Sequence, residues 1–166
     1  SDLYNLETIC FRYFNVYGPR QSLSNVYTQI VPKWVNAIAT GGTITIYGDG
    51  KQTMDMIFGG DIGRANIAAM ENAECKNVFI NVGTGFETSV KELFHLISDR
   101  MKSLMDNPKI NVEYEEHDPN LVRRRCASVT QMHKYLGKNQ VSIDQGIDIT
   151  CKELYRRSTE WQPHNG

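Results

Sequence analysis

Several groups of residues in this chain have types and spacings that could do chemistry. Arg123-Arg124-Arg125 stand together shortly after Asp118-Pro119. Guanidinium forks match phosphate oxygens two at a time, so such a run could clamp an anion; a solvated charged loop is the plain alternative. Tyr47 and Lys51 have the spacing at which, on a helix, a lysine one turn away lowers a tyrosine's pKa for proton transfer. Gly48-Asp49-Gly50 lies between them. That is a turn sequence, so the pair is not expected on a helix and no catalytic residue is assigned.

Val78 to Val82, followed by Gly83-x-Gly85, opens like a fingerprint whose glycines let a dinucleotide's pyrophosphate reach a helix N-terminus. The third glycine position holds Thr88, and Ser89 with Glu92 has capping-box spacing. A tight strand-to-helix turn with a capped helix is therefore the expectation. His95, His117, His133 and His164 show no ligand spacing, and Cys10, Cys75, Cys126 and Cys151 lack the paired short spacing of a zinc site. No metal is expected, and the cysteines read as four reduced structural thiols.

The elements that must position these groups follow from periodicity. Ile9 to Phe14 is a β-prone run that enters a turn at Tyr17-Gly18-Pro19-Arg20. Val26, Ile30, Val31, Trp34, Val35 and Ile38 recur at helical spacing, and Gly41-Gly42 stops that helix. Ile44 to Tyr47 alternates as a strand; Asp61 precedes a helix carrying Ile62, Ala65, Ala69 and Met70. Residues 77–82 form a further strand. The helix after it carries Val90, Leu93, Phe94, Ile97, Met101 and Leu104 on one face. Beyond Pro108 the pattern predicts a strand over 110–114, a polar basic loop, a short helix near 129–136, a last helix near 143–157 and a frayed tail over 161–166. This order is α/β, and 166 residues suffice for one core.

A formal net charge of −1 gives no general pull towards nucleic acid or a membrane surface, so an anionic ligand must be held by local arginines or backbone amides. With no apolar run near the length of a membrane span and no targeting pattern at Ser1-Asp2-Leu3-Tyr4, a soluble, cytoplasmic protein is expected.

Arg12-Tyr13-Phe14-Asn15-Val16-Tyr17-Gly18-Pro19-Arg20-Gln21 resembles the R-Y-F-N-V-Y-G-P-R-Q segment of extended short-chain dehydrogenases that act on nucleotide sugars. Pro32-Lys33-Trp34, the stretch from Ile46-Tyr47-Gly48-Asp49 to Gly50-Lys51-Gln52-Thr53, Asp61-Ile62-Gly63-Arg64-Ala65 and Asn81-Val82-Gly83-Thr84-Gly85 are similar to that family's later landmarks, in order. The resemblance covers nearly the whole chain. It implies that residues 1–160 are the C-terminal, substrate-binding part of an NAD-dependent epimerase or dehydratase, with the last Rossmann strand or strands and a small mixed sheet plus helices. The N-terminal NAD-binding domain, with its glycine motif and catalytic Tyr-x-x-x-Lys, would lie outside this sequence. NAD would then serve the full-length enzyme and not be bound by this chain alone.

By the same resemblance, Asn15 would hydrogen-bond the sugar or diphosphate, Gln29 and Ile30 would contact phosphate and base, Tyr47 would pack on uracil and Arg123 would clamp the diphosphate. Tyr13 and Val16 would lie against the nicotinamide end of NAD. The implied ligand is a UDP-sugar or related nucleotide sugar and the implied parent a sugar 4-epimerase. A 4,6-dehydratase, a UDP-glucuronate decarboxylase and a non-catalytic binding module remain alternatives. Alone, the chain is expected to be monomeric. Two departures stand out. Met54 replaces an arginine that binds phosphate, and Gly59-Gly60 replaces a bulkier pair, which is expected to loosen a core strand.

Overall fold

Short apolar runs become strands that pair across long stretches of chain, and amphipathic helices cover them. The computed structural model describes residues 3–23, 29–116, 122–138 and 140–160. In chain order the elements are β1 (Ile9–Tyr13), β2 (Asn15–Tyr17), α1 (Ile30–Thr40), β3 (Thr43–Tyr47), β4 (Thr53–Met54), β5 (Met56–Phe58), α2 (Gly59–Glu71), β6 (Val78–Val82), β7 (Thr88–Ser89), α3 (Val90–Leu104), β8 (Asn111–Glu115), β9 (Arg124–Arg125), α4 (Thr130–Leu136) and α5 (Ile143–Glu160). Three two-stranded sheets are each a parallel pair: β1 with β6, β2 with β5 and β3 with β8. Between antiparallel β7 and parallel β9 runs β4, completing a small mixed sheet. Parallel neighbours need crossover connections, here supplied by helices, and the α/β expectation holds.

Two apolar clusters hold these layers. Trp34, Val35 and Ile38 of α1, Leu93, Ile97 and Met101 of α3, and Ile147, Cys151 and Leu154 of α5 close over Ile44 and Ile46 of β3. Trp34 meets Phe94 edge-on, ring centroids 5.9 Å apart. Ile57, Ile80 and Val82 form the second cluster with Ala65, Ala69 and Met132. The predicted helix signals work as written. Gly41, at φ 70°, ends α1 in the left-handed region, where glycine is unstrained. Ser89 accepts from the Glu92 amide at 3.1 Å while its own amide donates to the Glu92 carboxylate at 2.7 Å.

Other expectations are corrected. Gly59-Gly60 does not loosen a strand: β5 ends at Phe58, and the two glycines open α2. A Cβ at Gly60 would lie 2.8 Å from Cε1 of the Phe58 ring, so the bare backbone lets that ring fold over the helix start. Asp61, expected ahead of the helix, lies in its first turn, and Met70 is exposed rather than on the core face. The loop expected to be polar and basic contains β9. Val26 and the tail over 161–166 lie outside the described residues.

All four thiols are free, yet only two are in the core: Cys75 and Cys151 are buried, Cys10 and Cys126 exposed. Burial pushes the Cys151 thiol up to about 12 and also raises Cys75 and Cys126. In the folded chain at pH 8, Cys10 is expected to react first with a chromogenic disulfide and Cys126 more slowly; Cys75 and Cys151 should react only on unfolding. Four thiols reacting at one rate would show that the core is open.

Candidate functional site

The site grows from the end of β3. After Tyr47 the chain reverses through Gly48 and Gly50, at φ 66° and 71°, and Gln52 Nε2 donates back to the Tyr47 carbonyl at 2.8 Å. Tyr47 thus ends a strand and Lys51 follows a turn, its ammonium 3.2 Å from the Asp49 carboxylate. No helical turn brings the phenol and ammonium together. Asp49, Lys51, Gln52 and Arg123 line a cleft of about 400 Å³. A second cleft, of about 200 Å³, is walled by Ile30, Trp34, Tyr47, Met54, Val90 and Arg125 and has Gln52 in common with the first. The second is mostly apolar, with Tyr47 47% exposed, so a planar base has a ring to lie on.

Strand alternation sorts the three arginines. The Arg124 Nε lies 2.8 Å from both oxygens of Glu87, and Nη2 lies 2.7 Å from one of them. Arg123 and Arg125, one residue to either side, instead line the two clefts and have no acidic partner among the described residues. Glu87 also accepts from the Thr53 hydroxyl at 2.6 Å. These bonds, that from Arg124 foremost, hold its carboxyl below the usual range. Met54, at the position where the resemblance expects arginine, pairs in register with Arg125.

Of the residues singled out from the sequence, the structure gathers Ile30, Tyr47 and Arg123 around the joined clefts. Gln29, at the N-cap of α1, is exposed and accepts from Gln21 Nε2 at 3.2 Å. Asn15 lies apart from both clefts, its side-chain amide donating to the Asp55 carbonyl at 3.0 Å. Val16 borders a third cleft, of about 580 Å³, beside Tyr17, Phe58 and the glycines that open α2. Tyr13 is half-exposed on β1, its hydroxyl bonded to Asn66.

Sequence reasoning gave Asp55 no role. Its carboxylate is completely buried and accepts from the Thr84 amide at 2.7 Å, the Thr84 hydroxyl at 2.6 Å, the Gly85 amide at 2.8 Å and the Ala127 amide at 3.1 Å. One signal could have found it: a lone acid in the apolar run Met54-Asp55-Met56-Ile57-Phe58 must be compensated wherever it is buried. The same bonds explain Gly83-Thr84-Gly85. Amides that could have cradled a phosphate already hold this internal carboxylate. A Cβ at Gly83 would lie 2.6 Å from that of Ala127 and 2.8 Å from Asp55 Oδ2. The glycine serves a close internal approach, as the tight-turn expectation implied.

Among the described residues no set of three His, Cys, Asp or Glu side chains gathers to hold a metal, and no helix is long and apolar enough to cross a membrane.

Solved UDP-sugar 4-epimerases share this fold over nearly the whole of this chain. Residues 1–83 match the NAD dependent epimerase/dehydratase family, and the chain belongs to that family. It is similar to a putative UDP-glucose 4-epimerase of Methanocaldococcus jannaschii, 37% identical over 98% of this chain and 48% of that protein. A UDP-N-acetyl-alpha-D-glucosaminuronate decarboxylase of Bacillus cytotoxicus is 36% identical over 90% of this chain and 47% of its own length. Among solved structures, the UDP-glucose 4-epimerase of Thermotoga maritima with UDP-glucose superposes with a TM-score of 0.80 at 31% identity, covering 95% of this chain and 48% of that one. The chain spans about half the length of these relatives.

Gly83-Thr84-Gly85, which opens like a dinucleotide fingerprint, has no amide of Thr84 or Gly85 to offer the NAD that the family description names, because Asp55 accepts from both.

Proposed function

We propose that this chain is the nucleotide-sugar grip of a UDP-sugar 4-epimerase-like enzyme, one that binds and orients the substrate without itself holding NAD. The observation that carries this reading is the joining, at Gln52, of an apolar cleft bearing Tyr47 and Ile30 to a polar one bearing Arg123, with Arg125 at the apolar wall. The base lies on Tyr47, the diphosphate lies across Arg123 and Arg125, and the sugar is left free to face the part of the enzyme that acts on it. Arginine forks supply charge-assisted bonds that Met54 does not. Similarity to a decarboxylase supports a second reading, in which the same grip serves decarboxylation of a UDP-sugar acid.

Calorimetric titration with UDP-glucose and UDP-N-acetylglucosamine, with NAD as control, tests the proposal. A UDP-sugar is expected to bind and NAD not to. Tyr47→Ala should weaken UDP-sugar binding roughly tenfold through lost stacking, and Arg123→Met roughly ten- to a hundredfold through a lost charged hydrogen bond. No UDP-sugar binding, or NAD binding equally well, would overturn it.

A further inference from the structure

Glu87 precedes β7 by one residue, yet both its oxygens are engaged on other strands, with Thr53 of β4 and Arg124 of β9. Those two residues are themselves direct partners in the β4–β9 ladder. The ladder is only two residues long, too short to define its own register strongly. Slipping a strand by one residue turns every side chain to the other face. Here the slip would aim Arg124 at the clefts and turn Arg123 and Arg125 away. Three adjacent like charges also repel one another, and Glu87 neutralises the middle one. Beyond β9 the chain is pinned again, the Ala127 amide donating to Asp55.

We infer that Glu87 is a positioning residue for diphosphate recognition: by engaging the middle arginine it sets the register of β9 and so presents the two outer guanidiniums to the ligand. The inference rests on the nucleotide-sugar reading above for its ligand. Its geometric core concerns only β9 and an anion of two linked phosphates. Glu87 acts through Arg123 and Arg125 and does not itself touch the ligand.

The test uses the whole chain, titrated calorimetrically with UDP-glucose, inorganic pyrophosphate and uridine, alongside thermal unfolding. In Glu87→Gln, affinity for UDP-glucose and pyrophosphate is expected to fall about five- to tenfold, with uridine affinity unchanged and the melting temperature within about 4 °C of the original. Glu87→Asp, which keeps the charge, should recover most of the loss; a residue that merely supports the fold would show neither the ligand selectivity nor this rescue. Equal weakening of uridine and UDP-glucose, no recovery in Glu87→Asp, or UDP-glucose binding indifferent to residue 87 would overturn the inference, and the last leaves the nucleotide-sugar reading standing. Glu87-dependent pyrophosphate binding with no preference for UDP-glucose would overturn that reading and support the inference. Failure of the unaltered chain to bind either phosphate ligand would overturn both.

Discussion

Asp55→Ala is expected to lose on the order of 4 kcal/mol of folding stability, a large part of the total for a domain of this size. The substitution removes one buried carboxylate and strands four donors: the amides of Thr84, Gly85 and Ala127 and the Thr84 hydroxyl. Each buried donor left without a partner costs about 1 to 3 kcal/mol, and partial relaxation keeps the sum below the simple total. Asp55→Asn gives a graded control. The two oxygens divide the work, Oδ1 taking both Thr84 donors and Oδ2 the Gly85 and Ala127 amides. An amide keeps one oxygen and turns an NH2 towards the other pair, so roughly half the loss is expected. Urea denaturation of the three chains measures both. A loss under about 1 kcal/mol in Asp55→Ala would mean that the turn and the Ala127 segment are held by something else. Because Ala127 follows β9 so closely, the alanine chain should also lose affinity for a diphosphate before it unfolds.

Gly146→Ala is the second large effect, and its sign is decided by magnitudes. Alanine in place of glycine within a helix favours folding by about 1 kcal/mol. Here, however, the new methyl would collide with the Tyr17 hydroxyl and stand 2.9 Å from the Tyr17 Cζ and 3.1 Å from its Cε2. Tyr17 is buried, with its ring edge-on to Phe58 and its hydroxyl end against α5 at Gly146. Burial chiefly, then the negative charges of Asp61 and Asp144, keeps its phenol protonated well above the usual range. Overpacking of this kind outweighs the propensity gain, and a net loss of about 3 kcal/mol is expected. Tyr17→Phe removes the atom that collides most closely, so combining it with Gly146→Ala should recover at least half of the loss, a coupling that a double-mutant cycle measures directly. A stabilised Gly146→Ala chain would show that α5 sits farther from β2 than the structure places it.

The helices were the most legible part of the chain. Both α1 and α3 carry their core faces at the spacing seen in the sequence, and Gly41 and the Ser89–Glu92 pair mark boundaries through bonds made within a few residues. The strands over residues 53–58 were not read, because elements of two or three residues carry too little periodicity and exist only by pairing with β2, β7 and β9. Tyr47 and Arg123 were recognisable as types suited to a nucleotide diphosphate, since an aromatic face and a guanidinium have the same chemistry wherever they stand, whereas Ile30 was singled out only through the family resemblance.

By itself, then, the sequence determined the α/β class, the amphipathic faces, the turns at Gly41 and Gly48-Asp49-Gly50, and the family, all of which depend on local order of residue types. Tertiary structure alone decided that Gly83-Thr84-Gly85 receives Asp55 instead of a phosphate, and that Arg124 turns to Glu87 while its neighbours face the clefts. The first depends on a contact spanning 29 residues and the second on one spanning 37. Local periodicity carries no record of which distant carboxylate arrives to satisfy a donor, because that choice is made by the packing of the strands that bring them together.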